Sequence, residues 1–164
     1  MDLKTQFLSI VFKPFSASTG TVAILTRLVV GYGFLQHGLA KAMNGSGRFA
    51  EILGGLGVPA PELMSPLTIA AELGCGLAVL AGAFVPLMCI PMAVILIVAM
   101  VSVHLPFGFS SIKLQAVTPE IRFGPPGYEV ILLYLVSLSV LAIFGAGPLS
   151  VDSLLRKWLK FERS

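Results

Sequence analysis

The chain has 164 residues, of which 56% are hydrophobic and only 12% are charged. Its mean hydropathy of +0.94 is far above that of a soluble domain, so the composition predicts a single-domain membrane protein. In such a protein the net charge of +3 indicates orientation and contact with anionic lipids. Since no basic cluster is interleaved with aromatic residues, no nucleic acid is expected as a partner.

The N-terminal segment, residues 1–20, alternates Lys4 and Lys13 with apolar residues, a pattern typical of a short interfacial helix. A secretory signal is the competing interpretation, because Ala40–Lys41–Ala42 resembles a small-residue cleavage site. The apolar stretch is too long for a signal core, however, and Arg27 interrupts it. We therefore expect a retained anchor.

Four apolar segments predict membrane spans of roughly 18–21 residues each, a length that suits a hydrocarbon core of about 30 Å. The second is expected to begin at Pro66, because proline is tolerated in the first turn of a helix. The second and third spans are joined so closely that they should form a tight helical hairpin. The predicted spans are 21–41, 66–84, 86–106 and 128–145, within a transmembrane domain of residues 21–147.

The segments between and after these spans carry weaker signals. Residues 42–65 place Phe49, Ile52, Leu53 and Leu56 on one face, which predicts a short amphipathic helix at the membrane surface. Residues 107–127 alternate in places, which favours an extended lid or hairpin turning at Thr118–Pro119–Glu120. Residues 148–164 predict a basic amphipathic helix capped by Ser150 or Asp152.

The predicted fold is therefore an all-α integral membrane four-helix bundle, with interfacial helices before span one, after span one and at the C-terminus. Six lysines and arginines lie on the side that contains both termini, and four lie on the opposite side. The positive-inside rule then predicts a multi-pass protein with both termini in the cytoplasm.

Ionisable residues inside the spans are the strongest functional signal. At helical spacing, Arg27, Gly31, Phe34 and Gly38 form one stripe of the first span, where glycines allow close helix contact. Counting residues along each span places five ionisable residues in one layer of the outer half, contributed by all four helices. They are His37, Lys41, Glu72, His104 and Glu129.

Arg27 lies deeper than this layer, and Glu72 is the acidic residue well inside a span, so an Arg27–Glu72 pair is expected. The height difference of roughly 10 Å is within reach of a long arginine side chain, with a water if needed. Gly74 and Gly76 on the second span, like Gly31 and Gly38, should permit the close contact. Such a pair also has a purely structural interpretation, because it would fix the helix register.

Three uses of the layer remain open. A histidine and a carboxylate beside an apolar cavity can bind a quinone and exchange protons with it. Two histidines on separate helices could ligate a b-type haem. A metal ranks last, because the paired Glu-x-x-His of di-iron bundles is missing. Cys75 and Cys89 lack a CxxC spacing and are expected to be buried free thiols.

The ordered set of polar and glycine positions resembles the DoxX family. It comprises the stripe from Arg27 to Lys41, Glu72–Leu73–Gly74, His104, Tyr128–Glu129 and Gly147–Pro148–Leu149–Ser150–Val151–Asp152. The resemblance implies a four-helix bacterial inner-membrane protein. It also implies kinship with the DoxD subunit of thiosulfate:quinone oxidoreductase and with membrane proteins of thiol and oxidative-stress handling.

The leading hypothesis is a membrane subunit of a redox system, quinone-linked and related to thiols or thiosulfate, that needs a partner subunit for any oxidoreductase activity. His37, His104 and Glu72 are the candidate catalytic residues, and Arg27, Lys41 and Glu129 the candidate ligand-binding residues. A non-enzymatic structural or assembly protein is the alternative, and a small-solute transporter the second alternative. The expected partners are the lipid bilayer and a redox subunit, and a homo-oligomer is left open.

Overall fold

The computed structural model describes residues 19–117 and 120–161. Most of them are helical. The elements, in chain order, are α1 Thr19–Asn44, α2 Ser46–Gly55, α3 Pro61–Ala81, α4 Val85–Ala99, β1 Leu114–Val117, β2 Glu120–Phe123, α5 Glu129–Phe144 and α6 Val151–Phe161. The expected interfacial helix of residues 1–20 lies outside the described residues.

Within the described residues, three helical segments are long and apolar enough to cross a bilayer, which makes this a membrane protein. They are Gly20–Asn44, Pro61–Ala81 and Val85–Phe107, the last continuing beyond α4 through a wider π-helical turn and a tighter 3-10 turn. The fourth predicted span corresponds to α5, an apolar helix of 16 residues. At 1.5 Å per residue it is about 24 Å long, shorter than a typical hydrocarbon core.

The expected start of the second span at Pro66 is wrong. The helix begins at Pro61, and Pro66 lies inside it. Both prolines satisfy the rule that proline is tolerated in a first turn, so the rule could not choose between them. The preceding residue, Ala60, has a positive φ of 48°, and this sharp turn sets the first residue of α3.

The four long helices pack in a ring, with α1 against α3, α3 against α4, α4 against α5 and α5 against α1. The closest approach joins α1 and α3 at two glycines. A Cβ atom on Gly31 would lie 2.9 Å from the carbonyl oxygen of Gly76, and one on Gly76 would lie 2.9 Å from the amide nitrogen of Leu35. The backbones therefore touch directly, as small residues permit in membrane helices.

The predicted connecting elements are present. The amphipathic helix after the first span is α2, which packs against α3. The extended segment is an antiparallel pair in which Leu114 lies opposite Phe123 and Val117 opposite Glu120, while Thr118 and Pro119 of the predicted turn lie outside the described residues. Cys75 and Cys89 are buried and free, and both belong to the central apolar cluster with Val79, Met92 and Leu141.

Candidate functional site

A cavity of about 290 Å³ lies inside the ring of long helices. Four of the five residues predicted to share a layer line it: His37, Lys41, Glu72 and His104. The remaining lining is mainly apolar and aromatic, including Phe34, Ile95, Leu96, Val130, Ile131 and Tyr134. We call it the polar cavity. A few polar groups in an apolar chamber are typical of a small-molecule site.

Lys41 and Glu72 form an ion pair across the α1–α3 contact. The Glu72 side chain is only 4% exposed, while that of Lys41 is 25% exposed. Lys41 donates to Oε1 of Glu72, and Oε2 is buried with no hydrogen-bond partner among the described residues. A buried carboxylate oxygen without a donor is costly. Because Glu72 also lines the polar cavity, a ligand hydroxyl or a water that reached this oxygen would relieve that cost.

His104 lies at the end of a π-helical turn, Met100–His104, that follows α4. Its Nδ1 is 2.9 Å from the carbonyl oxygen of Pro126. Because a carbonyl can only accept, Nδ1 carries the proton, and Nε2 is the nitrogen that can accept a hydrogen bond when the ring carries a single proton. Such π-helical turns occur frequently at functional sites. The turn and the loop before α5 therefore fix the ring at the wall of the cavity.

His37 is the most open of these residues. It lies on α1 one helical turn before Lys41, lines the polar cavity and is exposed. Phe34, one turn earlier on the same helix, is buried and makes an edge contact with Tyr134, with ring centroids 6.0 Å apart. Along the cavity-lining face of α1, accessibility therefore increases from the buried ring of Phe34 to the exposed side chain of His37, which we call the rim of the cavity.

Comparison with known sequences assigns the chain to a family. A sequence model of DoxX matches residues 22–105, which is half of the chain and includes every residue of α1 and α3 that lines the polar cavity as well as His104. The chain belongs to the DoxX family. The family resemblance drawn from the sequence is therefore confirmed.

A relative of this DoxX protein extends the likeness beyond the matched region. An uncharacterized protein of Haemophilus influenzae is 28% identical over 155 residues, covering 87% of this chain and 93% of that protein. No solved structure matches the chain.

Two sequence-predicted site residues lie elsewhere in the DoxX protein. Glu129 does not line the polar cavity; its Oε2 accepts a hydrogen bond of 3.0 Å from the amide of Ser111. It thus ties the loop after the π-helical turn to the first turn of α5. Arg27 does not line the polar cavity either, and lies nearer the opposite end of α1.

The expected Arg27–Glu72 pair is wrong. Arg27 is buried and donates to the carbonyl oxygens of Ala146 at 3.2 Å and Leu149 at 2.6 Å. These carbonyls belong to the segment that follows α5, and that segment returns to the N-terminal half of α1. Lys41 meanwhile pairs with Glu72. Arg27 therefore stabilises the return of the chain after α5 to the N-terminal half of α1, which we call the chain return. Gly82, at the end of α3, packs against the Arg27 guanidinium and against Ser150.

Several lining residues were missed by reasoning from the sequence. Pro126 and Gly127 contribute to the wall of the polar cavity because the loop at residues 108–110 accepts three backbone hydrogen bonds from Gly127, Tyr128 and Glu129. Tyr134 was missed because one tyrosine in an apolar span gives no periodic signal. A Pro-Gly pair directly before Tyr128–Glu129 was the available hint of a tight turn.

Among the described residues, no group of three histidine, cysteine, aspartate or glutamate side chains is placed to hold a metal ion.

Proposed function

We propose that this DoxX-family protein is the membrane subunit of a quinone-linked redox system and that the quinone head binds in the polar cavity. The observation that carries the proposal is that two side chains able to accept hydrogen bonds line one apolar chamber. They are Glu72, whose Oε2 has no hydrogen-bond partner among the described residues, and His104, whose Nδ1 is taken up by the carbonyl oxygen of Pro126. A quinol presents two hydroxyl donors at opposite ends of a flat apolar ring, which fits two acceptors in such surroundings.

The oxidised quinone head can accept hydrogen bonds from a donor in the same cavity. Quinone carbonyls accept hydrogen bonds, and Lys41 has two N–H groups beyond the one given to Glu72. His37, at the open rim, is the residue that exchanges protons with the water layer, since imidazole transfers protons readily near neutral pH. Reduction of the quinone consumes two electrons and two protons. In this proposal the protons arrive through His37 and Glu72.

The electrons come from a partner. Oxidation of two thiols to a disulfide releases two electrons and two protons, and oxidation of two thiosulfates to tetrathionate releases two electrons, so either donor balances the reduction of one quinone. A partner subunit carries that oxidation. We further propose that α5 is the fourth span of a four-helix bundle, that both termini are cytoplasmic in a bacterial inner membrane, and that the polar cavity lies in the outer half.

This arrangement also defines the domain organisation that we propose: an interfacial segment over residues 1–20, the transmembrane domain over 21–147 and the amphipathic helix over 148–164. The basic residues of α6, Arg156 and Lys157, are exposed beside exposed Leu154 and Trp158. Such a helix is suited to the anionic surface of the inner leaflet.

The test is to purify the protein in mild detergent, extract the small molecules that accompany it and identify them by mass spectrometry. We expect a quinone that is present with the wild type and lost in Glu72→Gln. Glu62→Gln is the matched control, because Glu62 is an exposed carboxylate on the same helix. An absorption spectrum with a Soret band that His104→Ala removes would instead establish a b-type haem and overturn the proposal.

One alternative keeps specific support. The Lys41–Glu72 pair joins α1 to α3, so the polar layer could serve only to fix helix packing in a structural or assembly protein. Cells that carry Glu72→Gln or His104→Ala would then retain full function as long as the protein folds. That outcome, together with the absence of bound quinone, would favour the structural role over the redox role.

A further inference from the structure

A second cavity, of about 480 Å³, opens beside the polar cavity between α2, α3 and α4. Its 17 lining residues are apolar with three exceptions, which are Lys41, Thr68 and Ser102. We call it the α2 groove. The apolar face predicted from the sequence lines it from α2 and the residue that follows α2: Phe49, Ile52, Leu53 and Leu56. The groove is thus an apolar space with one wall formed by an amphipathic helix.

The α2 groove adjoins the polar cavity through shared walls. Lys41 and Ile95 line both. The Lys41 ammonium binds Glu72 on one side and lies 4.8 Å from the centroid of the Phe49 ring on the other. A lysine held between a carboxylate and an aromatic face is attracted by both. The Lys41 side chain therefore lies between the two cavities.

We propose that the α2 groove holds the apolar prenyl tail of the quinone whose head occupies the polar cavity, and that this ligand comes and goes sideways through the bilayer beneath α2. This inference rests on the proposed function. It specifies a membrane-dissolved, long-tailed quinone as the substrate class, and it excludes a water-soluble carrier. Lys41 is the residue that the ligand passes, with its head on the Glu72 side and its tail on the Phe49 side.

Charge distinguishes this occupant from a phospholipid. A phospholipid that placed its acyl chain in the α2 groove would bring its phosphate to Lys41, next to the buried carboxylate of Glu72. Like charges in a poorly solvated site repel strongly. A quinone head is uncharged, and its hydroxyl or carbonyl groups match the donors and acceptors already present. The two adjoining cavities therefore fit an uncharged head on a long apolar tail.

A third cavity shows that volume alone does not select the α2 groove. It measures about 460 Å³ and lies between α4 and α5, lined by residues that include Ile90, Ile97, Leu135 and Ser139. It shares no lining residue with the polar cavity. A prenyl chain leaving lipid for either groove gains little, because lipid tails are themselves apolar. The location of the tail, rather than its affinity, is thus the informative measurement.

The experiment uses two photoreactive probes with the full chain in proteoliposomes. A tail-less azidoquinone reports where the head binds, and a prenylated quinone with a diazirine at the far end of its tail reports where the tail lies. Cross-linked residues are mapped by mass spectrometry, with excess unlabelled prenylquinone as competitor. We expect competed head adducts on residues of the polar cavity and competed tail adducts on the α2 groove.

Two adjacent residues of α4 give matched variants. Val98 lines the α2 groove and Ile97 lines the third cavity, and their exposed fractions are 45% and 47%. Val98→Trp should abolish the tail adduct and preserve the adduct of the tail-less probe, while Ile97→Trp should preserve both. Leu67→Trp, on the α3 wall of the same groove, is the second blocking variant should Val98→Trp fail to fold, as judged by size-exclusion chromatography.

The outcomes separate the two proposals. Competed head adducts with tail adducts on the third cavity, or spread over the lipid-facing surface, would overturn the tail site and leave the quinone head site standing. The tail site is likewise overturned if both blocking variants fold and keep the tail adduct. Absence of any competed head adduct in the wild type would overturn the proposed function and, with it, the tail site.

Discussion

Lys41 and Glu72 are joined by an ion pair in which the acid is almost fully buried and the base is a quarter exposed. The pair connects α1 to α3 immediately above the contact of Gly38 with Leu73 and with Cβ of Glu72. Since one carboxylate oxygen has no donor in the described part of the chain, the lysine is the group that makes burial of this acid tolerable. Replacing the lysine should therefore lower the stability of the protein more than replacing the glutamate.

The first prediction concerns this inequality. Lys41→Met leaves a buried carboxylate without a counter-ion and should destabilise the protein by about 3 kcal/mol. Glu72→Gln keeps an oxygen acceptor for Lys41, and the lysine can reach solvent, so its cost should be about 1 kcal/mol. Unfolding in mixed micelles measures both. The double variant Lys41→Met/Glu72→Met should recover most of the loss, and a double variant less stable than Lys41→Met alone would contradict this account.

The second prediction separates two glycines of α3 that look alike in the sequence. Gly76 touches the backbone of α1, whereas no atom lies within 4 Å of a Cβ built on Gly74. Gly76→Ala should force α1 and α3 apart and destabilise by about 1–3 kcal/mol. Gly74→Ala should be neutral or stabilising by up to about 1 kcal/mol, because alanine is the better helix former. Equal effects of the two substitutions would show that the α1–α3 contact does not depend on backbone approach.

These glycines illustrate what the sequence could and could not provide. Apolar runs gave the helices to within a few residues, except at Pro66, and counting along them gave the depth of each polar residue. Depth brought four of the five layer residues to one cavity. Rotation about the helix axis is a different matter. Residues two apart on a helix differ by roughly 200°, so only one of Gly74 and Gly76 can face α1.

The hydrogen-bond partners of Arg27 could not be predicted from the sequence, for a different reason. Its hydrogen-bond acceptors are backbone carbonyls of Ala146 and Leu149, and every residue type carries a carbonyl. No residue identity therefore signals the contact. The path of the chain after α5 depends on Gly145 and Gly147, both with φ near +75°, and on a Leu149 that also adopts a positive φ. Composition marks the turn but does not give its direction.

The third prediction concerns the same chain return. Asp152 in the first turn of α6 accepts hydrogen bonds from the amides of Phe84 at 2.7 Å and Val85 at 3.2 Å. It thus caps α4 although the two elements are far apart in the sequence, while Ser150 caps α6 itself by accepting from the amide of Ser153 at 3.2 Å. Both residues suggested for one cap are used, at different helices.

Loss of the distant cap should loosen the C-terminal helix. Asp152→Ala should cost about 1 kcal/mol, as expected for a helix cap, and should make the peptide bonds of α6 more accessible to protease in detergent. Asp152→Asn keeps one side-chain acceptor and should have a smaller effect. Since Asp152 does not line the polar cavity, ligand content should not change. Unchanged protease sensitivity in Asp152→Ala would mean that the side-chain cap is dispensable and that Arg27 and the hydrogen bond from the Asp152 amide to the carbonyl oxygen of Gly82 hold the segment.

The last prediction ranks the two histidines by their fixation. His104 is held through Nδ1 by the carbonyl of Pro126 at 2.9 Å, so its acceptor nitrogen has a defined direction, whereas His37 lies at the exposed rim of the polar cavity. A hydrogen bond to a fixed group costs less ordering when the ligand binds. His104→Phe should therefore weaken quinone binding by about tenfold, equivalent to roughly 1.4 kcal/mol. His37→Phe should change the dissociation constant less, while slowing proton exchange with the water layer. Titration of a quinone into nanodiscs that hold the protein measures the dissociation constant, and stopped-flow proton uptake measures the rate of proton exchange.

A larger loss of affinity in His37→Phe than in His104→Phe would reverse the assigned roles. His37 would then contact the ligand head, and the π-helical turn that carries His104 would serve only helix packing.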